Sequence, residues 1–169
     1  AQRGGRTIEL AIARVPAISR RKAPDPVFLI AGGPGMGARA MYPTVAGAFA
    51  RIGRQRDLVL VDQRGTGGSA ALDCELDEED LADTDPAQVP ALARRCLEAL
   101  SARPQDVRQY TTSIAVQDLE RVRVALGYGP INLYGVSYGT RVAQHYLRRH
   151  PTAVRSAILD GVVPPQLVL

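Results

Sequence analysis

The stretch Ile131-Asn132-Leu133-Tyr134-Gly135-Val136-Ser137-Tyr138-Gly139-Thr140 decides how this chain is read. It opens as an apolar run, passes through Gly-x-Ser-x-Gly, and continues into helical spacing over residues 138–149. A serine between two glycines at a strand-to-helix junction is held on a sharp, strained turn. The glycines allow the close backbone approach such a turn needs, and the turn thrusts the serine oxygen out of the sheet. The pattern predicts a nucleophilic serine at Ser137.

Outward from this junction the same alternation repeats. Val27-Phe28-Leu29-Ile30-Ala31, Asp57-Leu58-Val59-Leu60-Val61 and Val154 to Leu159 are short, mostly apolar runs of the kind that form buried parallel strands. Residues 6–15 alternate as a partly exposed strand does. Helical spacing is predicted around 43–53, over 87–101 and over 113–126. In the last of these Ala115, Leu119, Val122 and Leu126 share a face, Thr112 or Ser113 can cap the start, and Gly127 and Gly129 stop it. Residues 73–86 are acidic and turn-rich and read as an exposed excursion. Strands alternating with helices predict an α/β fold, a mostly parallel sheet with helices on both faces. Sites in such sheets lie beyond the carboxyl ends of the strands. The glycine-rich segments 32–37, 65–68 and 135–139 all fall there, so distance in sequence becomes convergence in space.

Bulk properties narrow the function classes. The 169 residues suit one domain, and no apolar run approaches the roughly 18 residues of a membrane span. The net charge of +4 is modest, and no basic stripe with interleaved aromatics marks a nucleic-acid binder. Arg20-Arg21-Lys22 reads as a solvated loop, and Arg148-Arg149-His150 falls where a helix ends and complements its dipole. Cys74 and Cys96 are too few for a zinc site and lack redox spacing; as residues they are either two free thiols or one disulfide. No metal site or cofactor is expected. The opening Ala1-Gln2, without Met, is expected of a processed or trimmed product.

Two glycine-rich motifs admit rival readings. The Gly32-Gly33-Pro34-Gly35 loop can aim a backbone N–H at a developing oxyanion, with Tyr138, the residue after the nucleophile, supplying another. Alternatively Gly33-x-Gly35-x-x-Ala38 after a strand, with Asp62 ending the next strand, fits a dinucleotide fingerprint. Pro34 removes an N–H from the middle of that would-be cradle, and a dinucleotide site leaves Ser137 without a role. Asp62-Gln63-Arg64-Gly65-Thr66-Gly67 is read as a structural turn held by Asp62 and Arg64, with a place in the site wall as the lesser reading.

Taken together, Gly32-Gly33-Pro34-Gly35, Asp62-Gln63-Arg64-Gly65-Thr66-Gly67 and Gly135-Val136-Ser137-Tyr138-Gly139, in this order and spacing, resemble the α/β-hydrolase branch containing proline iminopeptidases and tripeptidyl aminopeptidases. The stretch Ala157-Ile158-Leu159-Asp160-Gly161-Val162-Val163-Pro164-Pro165 is similar to the secreted tripeptidyl-aminopeptidase-like members. The resemblance spans nearly the whole chain. It implies an α/β-hydrolase fold, an acyl-enzyme at Ser137, oxyanion donors at the Gly33 and Tyr138 backbones, and release of short N-terminal units from peptides without a cofactor. Ala31 stands where many iminopeptidases carry His, which favours the broader group. The secreted members also imply a bridged Cys74–Cys96 pair and hence a periplasmic or secreted location, with the cytoplasm as the alternative.

The rest of a triad is not visible. His145 and His150 are the two histidines, and both lie on the predicted helix that starts at Ser137. At about 1.5 Å per residue they stand about 12 Å and about 20 Å along it, whereas a general base must come within about 3 Å. Asp160 falls at a strand end, but no histidine follows it. The resemblance implies an acid and a histidine on later strands, beyond a helical cap. Residues 1–169 are therefore expected to be the N-terminal portion of a hydrolase domain, with later strands and cap missing. The remainder of the chain or a cleaved second chain would complete it, and the segment alone would be inactive. The expected partner is a peptide or other acyl substrate. An esterase or lactonase on the same machinery, or a catalytically silent fragment that only binds, are the alternatives.

Overall fold

The computed structural model describes residues 7–74, 85–103 and 106–166. Most of the acidic excursion expected over 73–86 lies outside the described residues. Five strands, β1 (Ile12–Val15), β2 (Val27–Ile30), β3 (Leu58–Val61), β4 (Ile131–Val136) and β5 (Val154–Asp160), form a single sheet in the order β1-β3-β2-β4-β5. β1 runs antiparallel to β3, with Ile12 opposite Val61; every other pairing is parallel, with Val27 beside both Leu58 and Asn132. The helices are α1 (Ala38–Phe49), α2 (Val89–Ser101), α3 (Thr112–Ala125) and α4 (Tyr138–Arg149). This is the α/β arrangement expected from the sequence.

The pleat explains why β2 and β3 read as unbroken apolar runs. All eight of their residues are buried, because each strand has a helix layer over both faces. Val27, Leu29, Leu58 and Leu60 point to one side and pack with Ala38, Met41 and Phe49 of α1. Phe28, Ile30, Val59, Val61, Ile131 and Leu133 point to the other and pack with Val116, Leu119 and Val122 of α3 and Val142, Ala143 and Tyr146 of α4. The cores on the two sides of the sheet are thus set by odd and even positions of the same strands. β5 differs: it pairs only with β4 among the described strands, and most of its residues, Ile158 included, are exposed.

Several element ends depart from the sequence expectation. The first strand is confined to Ile12–Val15. α1 begins at Ala38 rather than near residue 43, and Pro43 lies inside it. α3 is capped by neither Thr112 nor Ser113: its N-cap is Thr111, whose hydroxyl accepts from the Ile114 N–H at 3.4 Å. Leu126, expected on the apolar face of that helix, is its C-cap and is 39% exposed, and Val116 is buried on that face. Cys74 and Cys96 are joined as a disulfide, with their Cα atoms 5.3 Å apart, tying the chain beyond β3 to α2.

An ion pair with a shared hydroxyl links α3 to α4. The Arg123 guanidinium grips Glu120 with two bonds, Nε to Oε2 at 2.8 Å and Nη2 to Oε1 at 2.6 Å, and the buried Tyr146 hydroxyl donates to Oε2. The Arg123 bonds above all, helped by Tyr146 and opposed by burial, hold the Glu120 carboxyl at about 2. A carboxyl lowered on folding contributes stability that is full above its unfolded value near 4.5 and is lost as pH falls towards about 2. Glu120→Gln is therefore expected to lower the urea midpoint at pH 7, with its gap to the parent narrowing steadily between pH 4.5 and pH 2. A gap independent of pH over that window would show that the pair adds nothing through its charge.

Candidate active site

The β4–α4 junction is built by exclusion of side chains. A Cβ on Gly135 would lie 2.4 Å from the Gly139 carbonyl oxygen, and one on Gly139 would lie 2.2 Å from that of Ile30. Only glycine lets the start of α4 descend onto the ends of β2 and β4. Between them Ser137 takes φ 52° and ψ −122°, a left-handed conformation that a non-glycine residue holds only when its surroundings impose it. Those surroundings are identifiable. The Ser137 N–H donates to the Asp160 carbonyl of β5 at 2.8 Å. The Ser137 carbonyl accepts from the Thr140 N–H at 2.9 Å and from the Thr140 hydroxyl at 2.7 Å. Thr140 Oγ1 in turn accepts from the Val163 N–H at 2.8 Å. The backbone of Ser137 is thus clamped, and the residue itself is exposed.

The loop after β2 approaches this turn. A Cβ on Gly32 would stand 3.1 Å from Ser137 Cβ and 3.7 Å from Ser137 Oγ, so Gly32 and Ser137 face each other directly. Gly33, Pro34 and Gly35 follow as an exposed lip, with Gly33 at φ +103° and Gly35 at φ +116°. The Tyr138 N–H opens α4, where the first turn of a helix has no intrahelical acceptor. The Tyr138 hydroxyl is paired with Thr112 Oγ1 at 2.7 Å. Gly32 and Ser137, separated by about a hundred residues of sequence, therefore meet at the carboxyl ends of the central strands β2 and β4, with Gly33 and Tyr138 next to them in the chain.

Asp62 lies beneath this lip, 2% exposed. Its Oδ1 accepts from the Arg39 N–H at 3.0 Å and its Oδ2 from the Gly68 N–H at 3.0 Å, while the Arg39 guanidinium stands 3.6 Å away. The carboxylate caps α1 from 23 residues away and joins that helix start to the 65–68 turn. Both oxygens are bonded within the protein and the carboxylate is buried, so it offers a ribose no exposed acceptor. Asp62→Ala would strand two backbone donors and remove the helix cap, and is expected to cost about 2–3 kcal/mol in denaturant unfolding. A cost below about 0.5 kcal/mol would show that water replaces the carboxylate. Arg64 is likewise held internally, with Nη2 2.6 Å from Asp118, Nη1 2.9 Å from the Gln109 carbonyl, and its guanidinium 5.9 Å from the Tyr110 ring centre.

Neither histidine meets Ser137. His145 lies on the flank of α4 with Nε2 3.5 Å from Ser113 Oγ, and burial together with the Arg149 and Arg148 charges lowers its pKa. His150 follows α4 as its C-cap and packs on the Tyr146 ring. Asp160 Oδ2 accepts from the Tyr134 hydroxyl at 2.6 Å, which pushes the Tyr134 phenol up to about 12. The bridging role of Thr140 and the Asp160 carbonyl was not foreseen. Both depend on pairings with β5 and the segment after it, for which no local pattern exists.

The mostly parallel sheet, the strained serine turn and the facing glycine loop match a known architecture. Residues 25–168 fit the sequence profile of the alpha/beta hydrolase fold. The chain belongs to the alpha/beta hydrolase family. This alpha/beta hydrolase chain is 30% identical over 177 residues to the tripeptidyl aminopeptidase of Streptomyces coelicolor, covering 95% of itself and 32% of that protein. It is 36% identical over 181 residues to carboxylesterase B of Mycobacterium tuberculosis, covering 97% of itself and 34% of that protein. Among solved structures it resembles a proline iminopeptidase-related protein from Thermus thermophilus. The TM-score is 0.58 and the identity 25%, over 90% of this chain and 40% of that one. The chain spans about a third of the length of the curated relatives it matches.

Proposed function

We propose that the intact protein is a serine hydrolase of aminopeptidase type, releasing short N-terminal units from peptides through an acyl-enzyme at Ser137. The observation that carries this reading is an exposed serine held at positive φ directly opposite Gly32. Ser137 Oγ attacks the scissile carbonyl carbon and passes its proton to a histidine. The carbonyl oxygen becomes an oxyanion, and the Gly33 and Tyr138 N–H groups donate to it. Collapse breaks the C–N bond, the histidine returns the proton to the departing amine, and water then hydrolyses the ester. His145 and His150 do not perform this step, so the base and its acid come from a segment outside these 169 residues or from a cleaved companion chain. No cofactor enters the scheme.

The named activity of the Streptomyces relative and the structural likeness to an iminopeptidase-related protein support an amide substrate. The name of the 36% identical carboxylesterase supports the second reading, hydrolysis of an acyl ester by the same steps. The Cys74–Cys96 bridge supports an oxidising location, periplasmic or secreted. The deciding experiment is a panel of tripeptidyl and aminoacyl amides beside short acyl esters, turned over by the intact natural protein. Preference for the peptidyl amides bears the proposal out, and preference for the esters transfers it to the second reading. Failure of a fluorophosphonate to label Ser137 would remove both.

A further inference from the structure

A polar cavity opens beside α4, and Ser137 is not among its lining residues. It holds about 350 Å³ and is lined by Thr111, Thr112, Ser113, Arg141, His145, Arg148 and Pro165. Arg141, His145 and Arg148 recur at positions that share one face of a helix, so three basic side chains line a single wall. The opposite wall is the start of α3. Its Ile114 and Ala115 N–H groups are bonded to the Thr111 carbonyl, while those of Thr112 and Ser113 belong to the part of a helix with no internal acceptor. The Thr111 hydroxyl is used as the cap and the Thr112 hydroxyl by Tyr138, leaving Ser113 Oγ, close to His145, as the hydroxyl facing the cavity.

The lining carries no acidic residue. Arg141 spends one nitrogen on the Pro165 carbonyl at 2.8 Å, and neither Arg141 nor Arg148 has a carboxylate partner among the described residues. Gathering two guanidinium groups, an imidazole and the positive end of a helix dipole around one cavity is unfavourable unless an anion joins them. Burial above all lowers the pKa of His145, and the Arg149 and Arg148 charges act in the same direction. Donors line the cavity on two walls, the basic side chains of α4 on one and the start of α3 on the other. A planar carboxylate uses a single fork well, whereas a tetrahedral oxyanion can accept from both walls at once.

We propose that this cavity binds a phosphate group, either free phosphate or the terminal group of a small phosphomonoester. Arg141 and Arg148 supply charge-assisted donors, and Ser113 Oγ with the first-turn N–H groups of α3 completes the set. The test is calorimetric titration of the intact natural protein with inorganic phosphate, at constant ionic strength set by chloride. Saturable binding of one phosphate per chain is expected. Arg148→Gln should weaken it about tenfold, while Arg149→Gln, which removes the same charge from the neighbouring position outside the lining, should leave it within about twofold. Both arginines are exposed, so neither change threatens the fold. Absence of saturable binding, or equal weakening by the two variants, would overturn the proposal, the latter because it reveals only a diffuse positive field. Glycerol phosphate supplies the second arm. Tighter binding than phosphate assigns the site to an ester, and weaker binding assigns it to the free ion.

Discussion

Ser137→Ala in the intact protein is expected to lower turnover of its amide or ester substrate by about a million-fold, the scale seen when a triad member is removed. The fold should be untouched. Every contact that clamps the Ser137 turn is made by the serine backbone: its N–H to Asp160, its carbonyl to the Thr140 N–H and hydroxyl. Alanine keeps all three and meets the same strain at φ 52°. What it loses is the exposed oxygen. Near-native unfolding midpoints with activity abolished would identify Ser137 as the nucleophile. Turnover within tenfold of the parent, at unchanged stability, would place the chemistry elsewhere and leave the strained turn without a catalytic reason. Fluorophosphonate labelling gives the same answer without a substrate, since the label has no other serine on such a turn among the described residues.

The parts of this chain that were legible in sequence are those whose burial is decided locally. β2 and β3 could be read because a strand covered on both faces is apolar at every position, and β4 and α4 because they flank the Gly-x-Ser-x-Gly turn, β4 despite its buried Asn132. The start of α1 was not legible. Its cap is the Asp62 carboxylate, 23 residues further on, and no nearby Ser, Thr or Asp marks the boundary, so the eye stops at Pro43 instead. The cap of α3 moved by one residue because Thr111, Thr112 and Ser113 are chemically interchangeable for that duty and only the backbone of Thr111 is extended. At the site, the convergence of three glycine-rich loops followed from the rule that parallel strands end together. The contacts that make the convergence productive did not. The approach of Gly32 to Ser137, and the link from Thr140 to Val163, are tertiary distances that no periodicity encodes.

Gly139→Ala is expected to destabilise the protein by about 3 kcal/mol, at the upper end of what overpacking costs. The added methyl would stand 2.2 Å from the Ile30 oxygen and 2.8 Å from the Ala31 oxygen. Neither can rotate away. Ile30 ends β2 and Ala31 follows it directly, and β2 is hydrogen-bonded to β3 on one side and β4 on the other, so relief requires moving a central strand or lifting α4. Gly47→Ala is the matched control. It lies in α1 with nothing within 4 Å of the new methyl, and there the same substitution should stabilise by about 0.5–1 kcal/mol through helix propensity alone. Denaturant midpoints for the pair therefore separate contact from propensity. A Gly139→Ala protein within about 1 kcal/mol of the parent would mean that the helix lifts freely. Lifting has a second consequence, because α4 carries the Tyr138 N–H and β2 leads into Gly33. Whatever fraction of the variant folds should hold the two proposed oxyanion donors further apart, and a displacement of about 1 Å at reacting groups costs about a hundredfold in rate. Loss of kcat beyond the loss of folded protein is the result that ties this glycine to catalysis as well as to packing.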